Sequence, residues 1–181
     1  STLPCKTCRT DAPCFKKCYA NNIIKRWPNV REAWGHNTEM MELEEFDKMA
    51  SDIKDAIIVT HTKLFRRFVG GDINNKGMLM MMVEVAEDNP DVSFMSFTKD
   101  YELVEEYHDL IPDNLNIVLS AWKALQPTEA QKQLFPVCYF DDGKADCQVP
   151  KDAYECPDKC IWCQRCFKMK PGQSVVIKEH R

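Results

Sequence analysis

The sequence predicts an α/β fold built on a mostly parallel sheet, with a cysteine-rich lobe at its C-terminal end. Three observations carry this. Between residues 60 and 140, short β-rich runs alternate with helical stretches, the pattern of βα units. The runs end on turn-forming or polar residues such as Gly70-Gly71-Asp72 and Thr98-Lys99-Asp100. The chain of 181 residues is long enough for a core of its own, so its 10 cysteines are not needed as disulfide staples. Residues 1–140 are read as the α/β core with an N-terminal cysteine cluster, and residues 141–181 as a metal-binding tail packed on the same domain.

The elements follow in order. Asn21 to Trp27 is a mixed stretch with no clear period. Asn29, after Pro28, is placed to cap a helix running to Met41. Leu43, Phe46, Met49, Ala50, Ile53 and Ile57 recur at three- and four-residue steps and predict a second helix from Leu43 to Ile57. Lys63 to Val69 reads as a strand ending on Gly70-Gly71-Asp72. Asn74 to Glu87 reads as a helix whose Met78, Met81, Met82 and Val85 form a core face. Val92 to Phe97 is the next strand, Tyr101 to Leu110 a short helix, and Leu115 to Leu119 a strand ending at Ser120-Ala121-Trp122. Pro127 to Leu134 is a helix or loop. Pro136 to Phe140 is a strand turned by Asp141-Asp142-Gly143, and Gln173 to Lys178 is the last strand.

The cysteine spacing carries the chemistry. Cys5-x2-Cys8-x5-Cys14-x3-Cys18 opens the chain, and Cys156-x3-Cys160-x2-Cys163-x2-Cys166 closes it. Four thiolates in tetrahedral array suit zinc or an iron–sulfur cluster. Zinc ribbons favour two clean C-x2-C knuckles, and neither set is such a pair. The run Cys160, Cys163, Cys166 is similar to the C-x2-C-x2-C run that wraps a cubane in bacterial ferredoxins. The expectation is one or two 4Fe-4S clusters, with zinc as the alternative. At the N-terminus, Cys8, Cys14 and Cys18 would hold three irons, with Cys5 either spare or closing the site. A third arrangement joins cysteines from both ends in one shared site, since chain ends often lie close. Cys138, inside an apolar strand, reads as core, and Cys147, in a polar turn, reads as no ligand.

No apolar run approaches the ~18 residues that span a bilayer, and no basic start is followed by an apolar leader. The expectation is a soluble protein in a reducing compartment, with no membrane partner. The net charge of −4 gives no pull toward nucleic acid.

Several residues together resemble a known family. They are Thr7-Cys8, Asp11-Ala12-Pro13-Cys14 and Cys18-Tyr19-Ala20; then Gly71-Asp72, Phe97-Thr98-Lys99 and Ser120-Ala121-Trp122; then the cysteine-rich tail and Glu179-His180. In combination, over nearly the whole chain, they resemble the phage "gene product 88" family, found in phages and bacteria. That resemblance implies the cytoplasm of a bacterial host and names no activity. A second resemblance is to the radical S-adenosylmethionine enzymes. These set a three-cysteine loop after their first strand, with an aromatic residue beside the last cysteine, as Tyr19 stands beside Cys18. Their second strand ends in a G-G-E-type motif that meets the methionine moiety, as Gly70-Gly71-Asp72 ends a strand here. It implies a partial TIM-barrel-like core and a small-molecule ligand, S-adenosylmethionine or another carboxylate, at the strands' carboxyl ends. That family's usual spacing is C-x3-C-x2-C, which Cys156, Cys160 and Cys163 fit but Cys8, Cys14 and Cys18 do not.

Among other residues, one of Arg66 and Arg67 must point inward on an alternating strand. Lys99 is a candidate cation at the same rim, and Trp122 a candidate pocket wall. His36, His61, His108 and His180 are dispersed without ligand spacing.

Overall fold

The computed structural model describes residues 1–4, 6–141 and 149–178. Its centre is a sheet of six strands: β1 Leu64–Arg67, β2 Ser93–Thr98, β3 Leu115–Ala121, β4 Val137–Asp141, β5 Tyr154–Glu155 and β6 Ser174–Lys178. All pairings are parallel, in the order β1-β2-β3-β4-β6-β5. The first four strands advance one place at a time in one direction, which leaves their connecting helices on one face. The order then departs from simple winding. The longer β6, with Val175 1% exposed, takes the inner place beside β4, and the two exposed residues of β5 form the edge.

Seven helices accompany the sheet among the described residues: α1 Ala20–Arg26, α2 Pro28–Glu42, α3 Phe46–Thr60, α4 Lys76–Glu87, α5 Tyr101–Glu106, α6 Glu129–Leu134 and α7 Cys160–Cys163. Their starts follow local chemistry. The Asn75 side chain accepts from Met78 N at 2.8 Å, Asp100 accepts from Leu103 N, and Thr128 with Gln131 forms a reciprocal capping box. The methionine face of α4 is core, with Met78, Met81, Met82 and Val85 all buried.

Both faces of the sheet are covered, as a parallel sheet requires. One face packs against α2, α3 and α4 through Phe94, Leu115, Ile117, Leu119, Val137 and Tyr139. The other presents Met95, Val118, Cys138 and Val175, and the cysteine-rich tail lies on it through Cys156, Cys166, Phe167 and Met169.

Most element bounds shift by a residue or a few from the sequence reading, and three differences have a clear physical cause. Pro28, not Asn29, opens α2, since proline lacks only an amide proton that the first turn leaves unused. The following helix starts at Phe46, not Leu43, because Glu44 adopts a positive φ of 56° between the two helices and leaves Leu43 63% exposed. Asn21 to Trp27 holds the short helix α1, whose seven residues are too few to display a period. Asp142 and Gly143, the predicted turn, lie outside the described residues, as do Cys5, Cys147 and His180. No helix among the described residues is long and apolar enough to cross a membrane.

Candidate metal centres

The N-terminal cysteine loop is seated at the carboxyl edge of the sheet, and Gly70-Gly71-Asp72 are what seat it. Thr2 N donates to Gly70 O at 3.0 Å, and Asp72 N donates to Thr7 Oγ1 at 2.8 Å. A β-carbon on Gly70 would lie 2.7 Å from the Trp34 ring, and one on Gly71 would lie 1.9 Å from Thr2 Oγ1. Gly71 also has a φ of 91°, where other L-residues are strained. These glycines therefore let Thr2 and Thr7 pass close to the turn. The loop is tied from its other side by Arg9, which pairs with Asp11 at 2.9 Å and donates to Lys99 O at 3.2 Å. Sequence reasoning missed Arg9, whose place among the cysteines was its only signal; Thr7 stood in the family motif, without its role as the acceptor for Asp72 N.

Asp72 is almost fully buried and pairs with Lys99. Its Oδ2 accepts from the Lys99 Nζ at 3.0 Å and from the Lys99 backbone at 3.1 Å, while Oδ1 accepts from Ile73 N at 2.8 Å. Burial by itself would lower the pKa of the Lys99 ammonium. Asp72, Cys14 and Cys8 outweigh it and hold the pKa raised, so the cation is permanent. Cys8 and Cys14 therefore lie within electrostatic reach of the Lys99 ammonium. Cys14 in turn feels Cys18, and burial raises its thiol pKa. Tyr19 fixes the end of this loop by donating to Val69 O at 2.6 Å. Lys99 Nζ also stands 6.0 Å from the centre of the Trp122 ring, which stacks on Phe140 at 4.4 Å. Phe97-Thr98-Lys99 and Ser120-Ala121-Trp122 thus meet at one rim, where the sequence placed a ligand.

The tail's four cysteines lie within electrostatic reach of one another. Cys166 is pushed up to about 12, first by burial and then by Cys156, Cys160 and Cys163. Burial raises the Cys156 thiol pKa; a backbone hydrogen bond from Asp158 opposes the rise, and the charges of Asp158, Cys160 and Cys163 add to it. The turns that bend the chain between them use positive φ at Asp158 and Gln164. Asn116 on β3 anchors the lobe, its amide donating to Cys166 O at 2.8 Å and Met169 O at 3.1 Å. A polar side chain inside Leu115-Asn116-Ile117-Val118-Leu119 was the readable signal for it. Cys138 is fully buried beneath this group, as a core cysteine, and burial next to Cys166 and Cys156 pushes its thiol well up.

Among the described residues, no three of these side chains, or of any His, Asp or Glu, converge closely enough to hold a metal ion as they stand. The donor chemistry nevertheless fits a soft metal: the Cys156 and Cys166 thiols, whose ionisation is opposed by burial and by neighbouring cysteines, are relieved when a cation takes the protons' place. Arg67 points into the helix-packed layer and Arg66 to the tail face, as alternation requires. His36 and His61 are exposed, and His108 packs edge-on against Phe135 at 5.2 Å. An open cleft of about 500 Å³, bordered by Lys132, Tyr139 and Asp152, lies away from both cysteine groups.

The profile of the family described as Gene product 88 matches residues 1–171. The chain belongs to the gene product 88 family. A curated relative, the Gene 88 protein of Mycobacterium phage L5, is 28% identical over 116 residues, covering 60% of this chain and 48% of that protein. The chain therefore spans about half the length of the relative it matches. No solved structure matches the chain.

Proposed function

We propose that this gene product 88 protein carries iron–sulfur clusters on a radical-S-adenosylmethionine-like α/β core and works in the cytoplasm of a bacterial host. Cys8, Cys14 and Cys18 would hold one 4Fe-4S cluster, with Cys5 the spare or closing ligand. Cys156, Cys160, Cys163 and Cys166 would hold the second. The observation that supports this best is the grouping of the tail thiols over one face of a parallel sheet, with the N-terminal thiols at the carboxyl edge of the same sheet. A cluster with an open iron supplies an electron and a coordination position. The protein's part is Lys99, a fixed cation for a carboxylate beside that position, and Asp72, which holds Lys99 in place. Support for a partial-barrel core comes from the one-directional run of β1 to β4. S-adenosylmethionine is the ligand that the Gly70-Gly71-Asp72 turn would fit by resemblance.

A second reading, a non-enzymatic zinc-stapled interaction module, draws on Ile161 and Trp162, which are 78% and 85% exposed between two tail cysteines. Iron, sulfide and zinc content of anaerobically purified protein decides between them. About eight irons with matching sulfide support two cubanes. Zinc without sulfide overturns the first reading and leaves the second.

A further inference from the structure

A strip of sheet with its own chemistry lies between Tyr19, which follows Cys18, and Cys166 of the tail. Arg66, Met95 and Asn116 lie in one row across β1, β2 and β3. At the far end of that row Asn116 holds the backbone of Cys166. At the near end Tyr19 is fastened to Val69, just beyond β1. Arg66 consequently lies within electrostatic reach of Tyr19 on one side and of Cys166 and Cys138 on the other. Its guanidinium is exposed, stands 5.2 Å from the centre of the Phe97 ring, and pairs with no carboxylate among the described residues. Two residues along from Phe97, Lys99 projects over Trp122. The Lys99 ammonium has three protons and gives one to Asp72, so donors remain. The exposed Arg66 over Phe97 and the mostly buried Lys99 beside Trp122 thus set two cations against two aromatic rings.

We propose that this strip binds a small molecule carrying an oxyanion group on an apolar body, with Arg66 as its bidentate anchor and Lys99 as the second cation. The planar fork of Arg66 matches a carboxylate or a phosphate, and stacking on Phe97 holds the fork still before a ligand arrives. Phe97, half-buried beneath Arg66, supplies the contact for the apolar part. The inference deepens the function proposed above, since it names the class of molecule that would sit between the two cysteine groups, and it rests on their arrangement.

The test is equilibrium binding of sodium benzoate and of inorganic phosphate to the anaerobically purified full chain, at fixed ionic strength set with chloride. Iron, sulfide and zinc are measured on the same samples. Saturable benzoate binding is expected, with phosphate weaker because it lacks the apolar body. A free-phosphate site would show the opposite order and would replace the apolar-body part of the inference. Arg66→Gln should weaken benzoate binding about tenfold or more, and Arg66→Lys should recover part of it, with metal content unchanged in both. Arg66 is exposed, so neither variant endangers the fold. Equal binding by wild type and Arg66→Gln overturns the proposal. So does metal loss in Arg66→Gln without anion binding by wild type, which would make Arg66 a counter-charge for the thiolates. Anion binding that survives in protein free of iron and zinc would keep this inference while the metal reading fails.

Discussion

Arg67 is a cation where the fold offers it little. It is 8% exposed, its Nε has no hydrogen-bond partner, and one terminal nitrogen reaches only the Met78 sulfur at 3.6 Å. Burial lowers its pKa to about 10. An uncompensated buried charge costs more than the apolar side chain that would fill its place. Arg67→Met should therefore leave stability unchanged or raise it by about 1–2 kcal/mol in denaturant unfolding; a large loss would show that the guanidinium has a partner in solution. Asp72 is the opposite case. Asp72→Asn strands the buried Lys99 ammonium and should cost about 3–5 kcal/mol, read as a drop in the urea midpoint. The contrast marks what a sequence conveys at this scale. Alternation along Leu64-Phe65-Arg66-Arg67 dictates that the two arginines part company, but nothing in it says that no acid meets the inner one. The Asp72–Lys99 pair spans 27 residues of chain, so no local pattern announces it.

Strands and helices were legible where an element is long or capped. The methionine-faced α4, with Asn75 before it, and the apolar β3 declare themselves by period and by turn chemistry. The short α1 and the two-residue β5 do not, because their existence depends on neighbours distant in sequence. The Gly70-Gly71 turn reads equally as a ligand loop or a plain turn, and its packing role became visible only with Thr2 and Thr7 against it. Gly71→Ala should cost at least about 1–2 kcal/mol from the left-handed φ alone. It should also displace Thr2 and lower metal retention by the N-terminal cysteines, with the tail unaffected. Asn116→Leu makes the complementary prediction. Two carbonyls of the tail, those of Cys166 and Met169, lose their donor, which costs about 1–3 kcal/mol. Metal bound by the tail should then exchange faster with a chelator while the N-terminal site holds. Equal effects on both sites in either variant would contradict the assignment of these residues to separate lobes.

At the scale of the molecule the question is whether the two ends of the chain build two centres or one. The cysteines stand at opposite ends of the sequence, so spacing alone leaves both arrangements open. In the fold Cys8 and Cys14 lie within electrostatic reach of Lys99 at the carboxyl edge, while Cys156 and Cys166 pack on the face of the sheet that carries Met95, with Asn116 holding the Cys166 carbonyl. The anion-receptive strip of Arg66 and Phe97 runs between them. Groups that share no partner respond additively to mutation. Cys14→Ser and Cys163→Ser should therefore each remove about half of the bound metal, about four irons if the centres are cubanes, and the double variant should remove nearly all. A shared site behaves differently: either single change would empty it, and the second would add nothing. Metal content of the three variants, prepared side by side without oxygen, separates the two outcomes, and loss of all metal in both single variants would overturn the two-centre architecture.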